Sequence, residues 1–176
     1  MEKDKKDLFT IPGFTTRYLH PGDEALIFDL DQRCEDFSLL VSGLPPTEEE
    51  AAAVLVDLPP GKSPADKFVI GAFAGPEKMI GLVDMIRGYP EAEDWFIGLM
   101  QLDPAYRGQG TGGQLYRAVA GWCRQRGARA ILLGVVEQNT RGLAFWEKMG
   151  FHVIEKRPPR RFGIKDCVVL VMKKAL

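Results

Sequence analysis

The residues best suited to chemistry stand together in Arg107-Gly108-Gln109-Gly110-Thr111-Gly112-Gly113. Glycine lacks a Cβ, so this backbone can turn sharply and let a ligand come close to its N–H groups. The stretch leads into an amphipathic run, which places those N–H groups at a helix N-terminus. There the macrodipole adds partial positive charge. Such a loop cradles phosphate, and more specifically a pyrophosphate. Arg107 adds a fixed positive charge at its mouth.

A second candidate is Asp84. Alternation along the run from Met79 to Arg87 puts Ile80, Leu82, Asp84 and Ile86 on one face. A carboxylate on an apolar face is either paired or functional. Desolvation would raise its pKa toward neutrality, as a general base needs. The alternative is a structural carboxylate bonded to a backbone N–H or an arginine. Gly98, in the middle of an apolar run, fits a bulge or a close approach of ligand, or simple relief of packing.

These residues need elements to hold them. Trp95 to Leu102 reads as an apolar strand, followed by a turn at Asp103-Pro104 and the glycine loop. The helix after the loop buries Leu115, Ala118, Val119 and Trp122 and turns Arg117 and Arg124 outward. Gly127 stops it, and Ala130 to Val136 is a second apolar strand. Asn139 or Thr140 caps the next helix, which ends at Gly150. Strand, loop, helix, strand is a βαβ unit, so the two strands are expected to be parallel.

Upstream, Phe14 to Leu19 reads as a short strand and Asp23 to Leu40 as one helix burying Ala25, Phe28, Leu30, Cys34 and Phe37. Thr47 with Glu50 is a capping box for a helix to Val56. Phe68 to Ala74 and Met79 to Arg87, joined to the Trp95 strand by short turn-rich links, predict antiparallel hairpins. Phe151 to Lys156 and Asp166 to Met172 read as two last strands, with the basic link Arg157 to Arg161 between them. The fold class is α+β, with a sheet antiparallel at its start and parallel at one joint.

Composition narrows the function. A chain of 176 residues suits a single domain, residues 1–176, and 45% hydrophobic residues suit an ordinary core. A net charge of −1 gives no nucleic-acid surface. The three cysteines, Cys34, Cys123 and Cys167, are widely spaced and read as reduced thiols. Cys123 reads as core filler. His20 and His152 form no zinc pattern, so no metal is expected. Met1 to Asp7 is charged and reads as no signal peptide, and no run is long enough to span a membrane. A cytoplasmic protein is expected.

Arg107-Gly108-Gln109-Gly110-Thr111-Gly112 matches Arg/Gln-x-x-Gly-x-Gly/Ala, and in this the chain resembles the GNAT N-acetyltransferases. Leu102-Asp103-Pro104-Ala105-Tyr106 before it, and Asn139 with Ala144-Phe145-Trp146-Glu147-Lys148-Met149-Gly150-Phe151 after it, resemble that family's other signatures. The resemblance implies a mostly antiparallel sheet of six to seven strands flanked by helices. It implies acetyl transfer from acetyl-CoA, as co-substrate, to a primary amine of a small molecule or peptide, by direct attack in a ternary complex. It implies that Leu102, Arg107, Gly108, Gln109, Gly110, Thr111, Gly112 and Gly113 hold the cofactor and that Asn139 bonds the pantetheine arm. It implies that the two parallel strands splay and that a backbone N–H near Met100 or Leu102 meets the oxyanion.

Within that reading, Asp84 is the base candidate, and Gln101 is either a holder of a relaying water or an ordinary strand position. Glu91, Glu93 and Asp94 read as a solvated acidic loop able to attract a cationic amine, and Arg157, Arg160 and Arg161 as an exposed basic loop. Trp146 stands where the family has a tyrosine that protonates the leaving thiolate. An indole is no useful acid, but a thiol pKa of about 8.5 makes that demand modest. Trp146 is instead expected to pack beside the pantetheine arm. Two other readings are a non-catalytic acyl-CoA sensor and a dinucleotide-binding protein, since Gly108 to Gly113 also satisfies G-x-G-x-x-G with Glu137 downstream. The five residues from Asp103 to Arg107 separate strand from glycine too far for the latter. Acceptor identity and the choice between monomer and homodimer are left open.

Overall fold

The computed structural model describes residues 8–176. The reading of Met1 to Asp7 lies outside them. In chain order the strands are β1 (Thr15–Tyr18), β2 (Lys67–Phe73), β3 (Met79–Arg87), β4 (Asp94–Leu102), β5 (Ala130–Val136), β6 (His152–Lys156), β7 (Arg160–Phe162), β8 (Lys165–Cys167) and β9 (Val169–Ala175). The helices are α1 (Glu24–Arg33), α2 (Glu35–Val41), α3 (Glu48–Val56), α4 (Thr111–Gln125) and α5 (Thr140–Lys148). Seven strands form one sheet in the order β1-β2-β3-β4-β5-β9-β6, and β7 and β8 form a separate hairpin. Every neighbour pair in the large sheet is antiparallel except β4 and β5.

Both faces of the sheet are covered, which is why β2 and β3 are apolar almost throughout rather than alternating. On one face, Ile27 and Leu30 of α1 and Ala51 and Leu55 of α3 pack on Val69, Phe73, Met79 and Leu82. On the other, Leu115, Val119 and Trp122 of α4 and Trp146 of α5 pack on Ile70, Val83, Met85, Trp95, Ile97, Ile131 and Leu133. Local signals set several ends as expected. Thr47 and Glu50 close the capping box of α3, and Asn139, not Thr140, caps α5 through its side chain, which accepts from Gly142 N–H at 2.9 Å.

The long helix expected from Asp23 to Leu40 is two helices. Cys34 leaves helical geometry at φ −99° and ψ 24°, and its N–H is shared between the carbonyls of Leu30 and Asp31. The bend carries α2 onto the glycine loop, where Asp36 meets Arg107. The buried side of α1 is also rotated from expectation: Ile27, Leu30 and Asp31 are buried, and Ala25 is exposed. The two last strands become four. Residues 160–167 fold back as the β7–β8 hairpin, whose Lys165 Nζ donates to the Leu39 and Leu40 carbonyls at the end of α2.

Ile80 does not share a face with Leu82, Asp84 and Ile86. A register shift opposite Ala72/Phe73 turns it toward the α4 side, while Leu82 stays with α1 and α3. Asp94 is not part of a solvated loop. It opens β4, is buried, and accepts from Lys173 Nζ at 3.1 Å.

Candidate active site

The parallel joint comes apart. β4 and β5 pair only from Asp94↔Ala130 to Ile97↔Leu133. Beyond that point β4 stays on β3 as far as Leu102, and β5 stays on β9 as far as Val136. Each strand keeps its outer partner and loses the inner one, so a gap opens between them. The break coincides with a bulge: Asp84 pairs with Leu99 and Met85 with Ile97, leaving Gly98 as the extra residue of β4.

The ladder also says which groups face the gap. Asp103 N–H donates to Ile80 carbonyl at 2.8 Å. Antiparallel bonding alternates, so Gln101 and Leu99 also bond toward β3. Met100 and Leu102 therefore turn their N–H and C=O groups away from β3. Leu102 carbonyl is already taken by Arg107 Nε at 2.8 Å and Cys34 Sγ at 3.4 Å. Met100 N–H is left pointing into the gap.

The glycine loop closes the top of β4. Gly110 caps α4 at φ +86°, a left-handed turn that favours glycine, and no side chain bonds across this helix end. The first helical bond runs from Gln114 N–H to Gly110 carbonyl at 3.0 Å. The N–H groups of Thr111, Gly112 and Gly113 thus have no intrahelical partner. A Cβ built at Gly108 or Gly110 meets nothing within 4 Å, so the cradle is open to a ligand. Gly112 has a different reason: its Cβ would lie 3.4 Å from the Phe145 ring, so α5 packs closely on the first turn of α4. Gln109 folds back, Nε2 donating to Ala105 carbonyl at 2.9 Å.

Arg107 does not stand free at the mouth. Its guanidinium grips Asp36 with both nitrogens, at 2.5 and 3.2 Å. Arg33 is anchored too, one terminal nitrogen on Asp103 and the other on Asp29 and the Met79 carbonyl, and Asp103 in turn accepts from Ala105 N–H. Arg33, Asp36 and Arg107 rim a cavity of about 580 Å³ that also takes in Glu35, Gly108 and Arg141. Among the described residues Arg141 has no ion pair, so it is the uncommitted cation of this rim.

A second cavity, of about 570 Å³, lies beside Gly98 and contains Asp84, Lys67, Tyr89 and Phe96. Asp84 is largely buried and its Oδ1 accepts from Lys67 Nζ at 2.8 Å. Burial pushes the Asp84 carboxyl up, Lys67 pulls it back, and nearby Asp57 pushes it up again. The net direction is upward, so the proton is easier to place on this carboxylate than on a surface aspartate. Gly98 makes the room: a Cβ there would stand 2.9 Å from Asp84 Oδ2.

These features agree with what the chain is similar to. Residues 27–151 match the acetyltransferase (GNAT) family. The chain belongs to that family. Over 79 residues it is 35% identical to mycothiol acetyltransferase of Corynebacterium glutamicum (strain R), covering 45% of this chain and 26% of that protein. The chain thus spans about a quarter of that relative's length. An acetyltransferase from Thermus thermophilus superposes with a TM-score of 0.75 at 24% identity, over 94% of this chain and 99% of that one. The PaiA N-acetyltransferase from Thermoplasma acidophilum, solved in complex with coenzyme A, has a TM-score of 0.67 at 19% identity, covering 93% and 99%. At these identities the two structures speak for the fold, a mostly antiparallel sheet with one parallel pair.

Not all residues singled out from sequence meet in one place. Asp84 and Gly98 share the second cavity, while Arg107 and Gly108 rim the first. Gln101 is buried and lines neither; its side chain lies beside Asp31 and the Cys34 thiol. Trp146 is 8% exposed and packs edge-on against Tyr116, Phe145 and Phe151, at centroid distances of 5.5, 4.9 and 5.1 Å. Asn139 spends its side-chain oxygen on the α5 cap. Arg157 lines the Asp84 cavity, whereas Arg160 and Arg161 belong to the β7 hairpin.

Sequence reasoning missed five residues here: Lys67, Asp31, Asp36, Arg141 and Tyr116. Asp31 carried a signal, since it follows Ile27 by four residues on the buried side of α1. Burial raises its carboxyl to about 6, against a hydrogen bond from Gln101 and with a further push from Glu50. Tyr116 is buried with no partner for its hydroxyl among the described residues, and burial lifts its phenol to about 12. Nothing in the sequence marked Lys67 or Asp36, whose partners lie far along the chain.

Proposed function

We propose that this chain transfers an acetyl group from acetyl-CoA to a primary amine, by direct attack while both are bound. The observation that carries the reading is the gap between β4 and β5, with an open glycine cradle at its head and a buried carboxylate beside it. The residues fit the cofactor: an uncapped helix N-terminus behind a cradle with open space at Gly108 and Gly110 suits a pyrophosphate. Thr111, Gly112 and Gly113 N–H would hold the phosphates, and Arg141 would add charge from the cavity rim. When bound, acetyl-CoA supplies a thioester carbonyl that the amine attacks with loss of the thiolate.

Met100 N–H would stabilise the oxygen on which charge develops, a preorganised dipole of the kind that dominates acyl transfer. An alkyl ammonium has a pKa near 10.4, so the amine must lose a proton before it attacks. Asp84 would take that proton, its raised pKa suiting it to the task. Trp146 would exclude water and keep α5 in place; no proton passes through it. Tyr116 stays protonated at neutral pH and serves the core.

The test is twofold. Saturating acetyl-CoA should raise Tm by mass action while NAD leaves it unchanged. Free thiol should then appear from acetyl-CoA in an amine-dependent manner across a panel of acceptors. Stabilisation by NAD alone would reverse the reading in favour of a dinucleotide. Acetyl-CoA binding without thiol release on any amine would leave a sensor.

A further inference from the structure

The cavity beside Gly98 is lined by charged groups of both signs and by apolar and aromatic side chains. Two carboxylates, Asp57 and Asp84, line it together with two cations, Lys67 and Arg157. Lys67 is 6% exposed and committed to Asp84 at 2.8 Å. Asp57 lies close enough to push the Asp84 carboxyl up. Lys67 is spent on Asp84, so around Asp84 two carboxylates stand against one lysine. Arg157 has a looser partner. Its Nε lies 3.4 Å from Glu155 Oε1, with both side chains half exposed, and such surface pairs are weak. An incoming anion can displace Glu155, and the planar guanidinium suits a carboxylate. Tyr89 and Phe96, which also line the cavity, meet edge-on at 5.7 Å and offer it an aromatic wall.

We propose that the acceptor is a zwitterionic amine with an apolar body, its ammonium placed at Asp84 and its carboxylate at Arg157. The inference rests on the acetyl-transfer reading above and adds the class of acceptor. A single guanidinium matches a singly charged anion, which is why a carboxylate is named. A cation without an anionic group would leave Arg157 unused, and an anion without an amine would meet the paired carboxylates.

Matched probes test it: benzylamine against para-(aminomethyl)benzoate, and phenethylamine against phenylalanine. Titration calorimetry of each probe on the full chain needs no transfer step, and thiol release from acetyl-CoA is read in parallel. The carboxylated member of at least one pair should bind about tenfold tighter or more than its parent. Arg157→Gln should erase that contrast, and Glu155→Gln, by freeing Arg157, should enlarge it. Both side chains are half exposed, so the variants are expected to fold. If the contrast holds and no thiol appears, the acceptor site stands and the transfer reading fails. Equal binding within both pairs, or a contrast that survives in Arg157→Gln, overturns the proposal whatever the thiol assay reads.

Discussion

Lys67 Nζ lies 2.8 Å from Asp84 Oδ1, and the two side chains are only 6% and 13% exposed. The pair sits where β4 bulges at Gly98 and parts from β5. A buried carboxylate held by one lysine is an adjustable base. Lys67 pulls its pKa down and burial pushes it up. If Asp84 accepts the amine's proton, Asp84→Asn should lower kcat/KM by about a hundredfold or more and remove the acidic limb of the pH profile. Lys67→Met removes the group that favours the charged form, so the limb should move to higher pH. The measurement is kcat/KM against pH for both variants. An acidic limb that persists in folded Asp84→Asn would assign the carboxylate to structure.

Gly98→Ala probes the same place from the other strand. The new Cβ would stand 2.9 Å from Asp84 Oδ2, so the carboxylate must shift. Because Gly98 is exposed, the fold should survive while kcat falls by about tenfold or more. Unchanged kinetics would mean that the position of Asp84 does not matter to the reaction.

The cradle is tested at Gly110. Valine there finds open space, but φ +86° is strained for any branched residue, and its side chain would enter the volume a phosphate needs. Gly110→Val should abolish the Tm shift by acetyl-CoA while circular dichroism stays native. Gly112→Val should also lose binding, but by displacing Phe145, so its own stability should fall too. Full acetyl-CoA binding by folded Gly110→Val would move the phosphate site elsewhere.

Asp31 makes a prediction about stability. Its carboxyl rises from an ordinary 3.8 to about 6 on burial, so the folded state binds the proton more tightly than the unfolded chain. Its contribution is therefore fully present below pH 3.8 and is lost as pH rises through about 6, amounting to at most about 3 kcal/mol. Asp31→Asn should match the wild type near pH 4 and be the more stable protein at pH 8. Urea unfolding at both values measures it. A difference that does not change with pH would show that Asp31 keeps its ordinary titration.

Trp146 is enclosed by three aromatic rings. Trp146→Ala should cost about 3–5 kcal/mol by emptying that site, whereas Trp146→Phe should keep most of the packing and hold kcat within about tenfold. Steady-state kinetics beside thermal unfolding separates the two effects. If folded Trp146→Phe is as inactive as Trp146→Ala, the indole N–H has a role that packing does not explain.

What the sequence determined by itself was local. The capping box at Thr47 and Glu50, the span of β3, the span of β5 and the strand–loop–helix order around Gly110 each depend on residues a few positions apart. Their periodicity and turn chemistry are therefore written in the chain. The glycine turn at the head of α4 was legible for the same reason, since a left-handed turn before an amphipathic helix needs no distant partner. Tertiary structure decided the rest. Lys67 meets Asp84 across 17 residues, Arg107 meets Asp36 across 71, and Arg33 meets Asp103 across 70. No local pattern ranks one lysine or aspartate above another as a partner at such separations. The face of Ile80 turned on the register of its own strand against β2, where Ile80 is the unpaired residue. Charge pairing and strand register are properties of two segments brought together, and only the folded chain brings them together.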